Sequence, residues 1–241
     1  MTLYIYDMDG TLTPARKPMT GSFAQAFLPW LKSHVAFIAT GSDYKKVCEQ
    51  LPAEIIKAFN GIYASMGNTF YKGNKLLYRK DIEYDDNLLA DLESFRKTTR
   101  YPYPLFDNYI EKRIGMINFS VIGRDCPYQE REKYTQWDQT NKERLHIQKV
   151  LTEKYPAYDF ECGGNISLDI IPKGCGKGQI AHDLRQKYPN EKIIFLGDRT
   201  YAGGNDYALA AELLKLGNAQ VVQVANPDEV LNYLKNPEFN P

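Results

Sequence analysis

What the sequence lacks narrows its function first. Thirty Lys and Arg residues are balanced by thirty Asp and Glu residues, so no charge of one sign is in excess. The basic field that holds nucleic acid or an anionic membrane surface is therefore excluded, and any phosphate-binding charge has to be local. Cysteine is scarce. Cys48, Cys126, Cys162 and Cys175 lie far apart with no C-x-x-C spacing, which argues against a disulfide framework or a zinc site and for reduced thiols in a cytoplasmic protein. Long apolar runs are missing too. The chain passes directly into Leu3-Tyr4-Ile5-Tyr6-Asp7 without a basic leader segment or a long apolar core, so neither a signal peptide nor a membrane span is expected, and a cytoplasmic location is. There is no internal repeat and no low-complexity tract, and the Pro-containing tail from Asn236 is expected to fray.

What is present reads as an α/β protein. At 241 residues the chain can form one large domain or a core carrying a smaller inserted one, and its 43% hydrophobic content is enough to bury a real core. Short apolar runs at residues 3–6, 35–39, 61–65 and 192–196, with a weaker one at 221–224, predict buried strands separated by helix-period segments. Ser22-x-x-Gln25 reads as a capping box for a helix through Phe27 and Leu31, and Ser42 or Asp43 as the cap of a second with Val47 and Leu51. Such alternation suits right-handed crossovers and a parallel sheet.

Between residues 80 and 172 the texture changes. A long helix runs from acidic to basic, residues 116–121 and 167–171 alternate as half-buried antiparallel strands, and Thr140-x-x-Glu143 reads as a capping box before a helix carrying Ile147, Val150 and Leu151. The expected organisation is a core formed by residues 1–79 and 173–241, with residues 80–172 as an inserted α+β domain.

The chemistry gathers at the carboxyl ends of the expected strands, where open α/β sheets place their ligand sites. Asp7-Met8-Asp9-Gly10-Thr11-Leu12-Thr13 follows the first strand, and its i, i+2 acids can face one cavity. Two carboxylates that close resist joint desolvation unless a cation or a proton intervenes. Ala39-Thr40-Gly41-Ser42 follows the next strand and offers a hydroxyl and helix-start N–H groups to a phosphoryl oxygen. Gly197-Asp198-Arg199-Thr200 and Gly203-Gly204-Asn205-Asp206 follow a later one, and a glycine-rich acidic loop beside two other acids suits Mg²⁺. Taken singly, each segment is an ordinary turn or helix-start signal. Their joint occurrence, in chain order and each after an apolar strand, points to phosphoryl transfer.

These residues, together with Lys177, resemble the four motifs of the haloacid dehalogenase (HAD) superfamily, with the insertion between the second and third motifs as in its type IIB cap arrangement. The resemblance implies a Rossmann-like core with a parallel sheet plus an α+β cap with an antiparallel sheet. It also implies an aspartyl-phosphate on Asp7, acid/base work by Asp9, a role for Thr40 at the phosphoryl group, and Mg²⁺ held by Asp7, the Asp9 carbonyl and Asp198. Asp206 would support the metal shell and Lys177 would screen the crowded charge.

Further stretches are similar to the eukaryotic-type phosphomannomutase family: the segment from Asp9 to Arg16, Gly41-Ser-Asp-Tyr44, Gly115-Met-Ile-Asn118, Ile122-Gly-Arg124, Gln129-Glu-Arg131 and the segment from Gly163 to Asp169. By that likeness Arg113, Arg124 and Arg131 bind the distal phosphate of a sugar, Asn118, Ser167 and Asp169 contact the sugar or that phosphate, and Arg16 joins the substrate-binding set. A permanent charge with a forked donor set suits Arg to phosphate recognition. Ser65-Met66-Gly67-Asn68 and residues 211–218 depart from the family pattern.

The expected activity is interconversion of mannose 1- and 6-phosphate, with a sugar phosphate as substrate, a hexose bisphosphate as activator and a homodimer formed through the cap. A type IIB sugar-phosphate phosphatase and a non-catalytic phosphosugar-binding module are the alternatives.

Overall fold

The structure, a computed structural model, describes residues 1–236; the expected frayed tail, beyond Asn236, lies outside the described residues. Strands β1 (Thr2–Tyr6), β2 (Val35–Ala39), β3 (Gly61–Ala64), β4 (Thr69–Lys72), β5 (Lys75–Arg79), β6 (Ile110–Arg113), β7 (Met116–Phe119), β8 (Tyr158–Gly163), β9 (Ser167–Pro172), β10 (Lys192–Gly197) and β11 (Ala219–Gln223) form two sheets. The helices are α1 (Gly21–Ser33), α2 (Tyr44–Gln50), α3 (Ala53–Ala58), α4 (Asp86–Lys97), α5 (Tyr128–Asn141), α6 (Glu143–Lys154), α7 (Gln179–Lys187), α8 (Tyr207–Leu216) and α9 (Pro227–Leu234). The described residues divide into two compact units, residues 1–80 with 174–236 and residues 81–173. No helix among the described residues is long and apolar enough to cross a membrane.

In the first unit the strand order is β11-β10-β1-β2-β3-β4-β5. The pairs from β11 to β3 are parallel, and a β4–β5 hairpin extends the sheet antiparallel. The sheet is therefore mixed, not purely parallel. Lys72 and Lys75 flank the Gly73-Asn74 turn of that hairpin, and the lysines dilute the apolar signal that marks the other strands. Alternate β1 side chains serve opposite faces, as the strand period requires. Tyr4 and Tyr6 pack with Phe27, Leu31, Ile55 and Val230 of α1, α3 and α9, whereas Leu3 and Ile5 pack with Ile180, Leu184, Leu209 and Leu213 of α7 and α8. The chain winds outward from β1 on one side and from β10 on the other. Their junction is the point where such sheets open a ligand crevice at the carboxyl ends of the strands.

Helix starts differ from the spacing-based expectation in two places. Thr20, not Ser22, caps α1: its backbone is extended and its Oγ1 accepts from Phe23 N–H at 3.3 Å. Thr140 lies inside α5, and α6 begins after Lys142, which is in the left-handed region and makes no side-chain cap. In place of a capping box, Asp138 from the preceding helix accepts the Arg144 N–H at 3.0 Å. Asp43 caps α2 as one of the two residues expected there, with Lys46 N–H donating to Oδ1 at 2.8 Å.

The second unit is a four-stranded antiparallel sheet, β6-β7-β9-β8. One face carries Ile117, Phe119, Phe160, Leu168 and Ile170 against Leu88, Leu92, Tyr134, Ile147 and Leu151 of α4, α5 and α6. The opposite face carries Glu111, Arg113, Asn118, Ser167 and Asp169 by strand alternation. β7 is buried at all four positions instead of alternating, because Asn118 on the polar face is covered by its bonds to Asp169 and Arg124. The loop that leads to Arg124 turns at Gly123, with φ +85; a Cβ there would lie 2.1 Å from the Phe106 carbonyl oxygen. Gly123→Ala should therefore destabilise the fold by roughly 2 kcal/mol or more, combining left-handed strain with a backbone clash. A urea midpoint unchanged from that of the parent would contradict this.

Candidate active site

The site in the first unit follows from strand register. Tyr6 pairs with Leu196, and Asp7 N–H donates to the Leu196 carbonyl at 2.9 Å, so Asp7 and Asp198 leave two adjacent strands side by side. Asp206, fully buried, stands at the start of α8. Lys177, before α7, places its Nζ 2.6 Å from Asp7 Oδ1 and in contact with Asp206 Oδ1, all three groups being buried. Ligand atoms from Asp7, Asp198 and Asp206 lie within 4.8 Å of one another.

Three carboxylates thus face one ammonium. Burial pushes the Asp7 carboxyl up to about 7; Lys177 pulls against this, and Asp206 and Asp198 add to it. Asp198 is also raised, by burial first and then by Asp206. For Lys177 burial favours the neutral amine, but Asp206 and Asp7 outweigh it and hold the group above its ordinary value. Among the described residues, Asp7 Oδ2 and Asp198 Oδ1 are buried without a hydrogen-bond partner. Asp206 is placed differently: Oδ1 meets Lys177 and Oδ2 accepts the Arg199 N–H at 3.3 Å. An all-oxygen donor set with two open oxygens and an uncompensated negative charge fits a hard divalent cation.

Asp9 is half-buried and turned elsewhere. Its Oδ1 accepts the Arg16 N–H at 2.8 Å and its Oδ2 the Ser42 hydroxyl at 3.1 Å. Its carboxylate is outside the carboxylate cluster; the expected metal contact of Asp9 was through its carbonyl. The bond to Ser42 ties the first acidic loop to the loop after β2. There the buried Thr40 accepts the Ser42 N–H on Oγ1 at 3.0 Å, which leaves the hydroxyl proton for a ligand oxygen. Arg16 is exposed with φ 59, and its contact with Asp9 is made by the backbone.

The polar face of the second unit gathers most of the expected substrate residues into one network. Glu111 Oε2 is 2.6 Å from Arg113 Nη2 and 2.7 Å from Arg124 Nε. Arg124 Nη1 donates to Asn118 Oδ1, Asn118 Nδ2 donates to Asp169 Oδ1, and Arg131 Nη2 donates to the Arg124 carbonyl. Ser167 is buried two residues before Asp169 on β9, and its carbonyl accepts from Arg144 Nη1 at 3.3 Å. Bonds from Arg113 lower the Glu111 carboxyl, whereas burial raises Asp169. Glu111 and Arg144 were not among the expected site residues. Glu111 was detectable as the same-face neighbour of Arg113 on an alternating strand; Arg144 had no local signal, since its partners are distant in sequence.

A carboxyl raised above its ordinary value of 3.8 stabilises the fold in its protonated state, so the contribution of Asp7 is complete at low pH and is lost as the pH rises through about 7. Metal-free protein should therefore lose thermal stability relative to Asp7→Asn between about pH 4 and pH 7, and millimolar Mg²⁺ should restore it at the upper end. Parallel melting profiles of the two proteins without metal would contradict the assignment.

The family model for eukaryotic phosphomannomutase matches residues 24–237. Phosphomannomutase 1 of Homo sapiens is 35% identical over 230 residues, 91% of this chain and 87% of that protein. Trehalose-6-phosphate phosphatase of Aspergillus fumigatus superposes with a TM-score of 0.55 at 18% identity, covering 96% of this chain and 90% of that one. A HAD subclass IIB sugar phosphatase superposes with a TM-score of 0.59 at 13% identity, covering 99% of this chain and 100% of that one. At such identities the solved structures speak for the fold, while the sequence match speaks for descent. The chain belongs to the eukaryotic phosphomannomutase family and shares the fold of the HAD subclass IIB sugar phosphatase.

Proposed function

We propose that this protein is a Mg²⁺-dependent phosphomutase that interconverts hexose 1- and 6-phosphates, mannose phosphates foremost, through an aspartyl-phosphate on Asp7. The observation that carries the reading is the buried Asp7: one oxygen is fixed by Lys177 and the other is open. A nucleophile held in this way presents a lone pair in one direction, and positioning is most of what phosphoryl transfer asks of a protein. Mg²⁺ held by Asp7, Asp198 and the Asp9 carbonyl, with Asp206 behind them, would neutralise charge that develops on the phosphoryl oxygens.

The remaining roles belong to the chain itself. Asp7 attacks phosphorus, and the bond to the sugar oxygen breaks. Asp9, held by Ser42 and the Arg16 N–H, gives that oxygen its proton and later takes one from the acceptor hydroxyl. Thr40 offers its hydroxyl to a phosphoryl oxygen. Lys177 favours the ionised form of Asp7 against burial and limits repulsion from Asp206. A bisphosphate also needs a second anion-binding surface. Arg113, Arg124 and Arg131, ordered by Glu111 and the Arg124 carbonyl, supply guanidinium forks for it, with Asn118, Ser167 and Asp169 as polar neighbours.

Mannose 1-phosphate with Mg²⁺ and a catalytic amount of hexose 1,6-bisphosphate should give mannose 6-phosphate without accumulating inorganic phosphate, followed by ³¹P signals. Inorganic phosphate as the main product would make the protein a sugar-phosphate phosphatase instead, and tight binding without phosphorylation of Asp7 would make it a binding module. Asp7→Asn should abolish turnover of either kind. Arg124→Ala and Arg131→Ala should lower kcat/KM for the bisphosphate by roughly 100-fold, since each removes a charge-assisted contact, while changing hydrolysis of a small aryl phosphate by less than about threefold. Equal losses on both substrates would rule out a distal-phosphate role.

A further inference from the structure

The loop after β3 is strained. Ser65 and Met66 have φ of 49 and 59, and Gly67 follows with φ of 88, three consecutive residues in the left-handed region that L side chains disfavour. Such backbone persists only where its surroundings over-determine it, and here two groups of bonds do so. On one side Met66 N–H donates to the Thr40 carbonyl at 2.9 Å and Ser65 N–H to the Ser42 carbonyl at 2.8 Å. On the other, Gln179 Nε2 donates to the Met66 carbonyl at 2.9 Å and to the Cys175 carbonyl at 2.8 Å. The fully buried Asn68 donates through Nδ2 to the Ser65 and Cys175 carbonyls, both at 2.8 Å.

Gln179 Nε2 also lies 3.3 Å from Asn68 Oδ1, so the two amides are tied to each other as well as to the backbone. The Cys175 carbonyl accepts from both Asn68 and Gln179. Cys175 and Gln179 stand two residues before and two after Lys177. The approach is also close: a Cβ on Gly67 would lie 2.7 Å from Ile180 Cγ1 and 3.2 Å from Gln179 Cγ.

We propose that the turn at residues 65–68 and Gln179 form a bracket that fixes the backbone around Lys177 relative to Thr40, which makes Gln179 a positioning residue for phosphoryl transfer. The inference rests on the phosphoryl-transfer reading above but not on which acceptor takes the phosphoryl group. One loop grips the carbonyl of the residue that presents a hydroxyl to the phosphoryl oxygens. The same loop grips the segment whose ammonium holds Asp7 at 2.6 Å. A sub-ångström slip at Cys175 is passed along two residues to Nζ, and positioning errors of about 1 Å cost on the order of 100-fold in rate. Within the bracket Met66 contributes its backbone N–H and carbonyl, and Asn68 its amide.

The test uses hydrolysis of p-nitrophenyl phosphate with Mg²⁺ by the full-length protein, a reaction independent of the sugar acceptor. Gln179→Met, of equal length but without donors, should lower kcat roughly 10- to 100-fold. KM should stay within about twofold and Tm within about 5 °C. In a Lys177→Met background, assayed at high enzyme concentration, the same change should add less than about twofold, because a positioning residue has nothing left to position. Gln179→Glu, which keeps the side-chain length and the oxygen that accepts from Lys80, should show the same split if the methionine variant folds poorly. Equal losses in both backgrounds, or a lowered Tm with unchanged kcat, would overturn the proposal. Absence of mutase activity shows separately, as inorganic phosphate in place of isomerised hexose phosphate.

Discussion

The site is organised by one electrostatic constraint: two buried carboxylates, Asp7 and Asp206, share a single buried ammonium, with the half-buried Asp198 beside them. Asp7, Asp198 and Asp206 crowd together beside Lys177, and the raised carboxyls of Asp7 and Asp198 reflect burial first and the neighbouring carboxylates second. Burying charge without compensation is costly enough that it is retained chiefly where a bound cation or the chemistry relieves it. The same arrangement divides the labour among the acids. Asp206 spends its oxygens on Lys177 and the Arg199 N–H, while Asp7 and Asp198 each keep one oxygen open.

Everything around the cluster serves to make that arrangement repeatable. The parallel pairing of β1 with β10 places Asp7 beside Asp198 without any loop having to find its place. Apolar packing on both faces of the sheet fixes the strands, so their carboxyl ends present functional residues as rigid extensions of the core. Lys177 arrives from a connection that has no such support from the sheet. That is why the strained turn after β3 and the amides of Asn68 and Gln179 matter: they supply the missing rigidity by hydrogen bonds instead of strand pairing.

The inserted unit meets its own electrostatic problem with the opposite sign. Arg113, Arg124 and Arg131 would repel one another on a bare surface, and burial together with its neighbours lowers Arg124 from its ordinary value. Glu111 bridges two of them and Asp169 orients Asn118 from across the sheet, so the guanidinium groups are ordered in advance. Arg144, anchored by Asp138, stiffens the β8–β9 turn through the Gly164 and Ser167 carbonyls. Preorganisation of this kind reduces what a ligand must expend on ordering its partners.

Much of this was legible in the residues. Apolar runs marked β1, β2, β3 and β10 because strands buried on both faces carry a dense signal, and the acids stood directly after them. Alternation marked β7 and β9 as antiparallel strands, and the structure pairs them with each other. The β4–β5 hairpin escaped because an edge strand rich in lysine carries little apolar pattern. The two capping boxes were misplaced because a short spacing rule cannot tell which hydroxyl meets the extended backbone that a cap requires; Thr20 meets it, and Thr140 is inside a helix. The sequence by itself determined which groups are available: the acids, the lysine, the arginines and their order along sheet and insertion. Tertiary structure alone decided how their charges are shared. That Asp206 is tied to Lys177, that Glu111 joins two arginines and that Gln179 reaches Met66 are contacts between residues far apart in the chain or set by side-chain direction, and no local pattern encodes them.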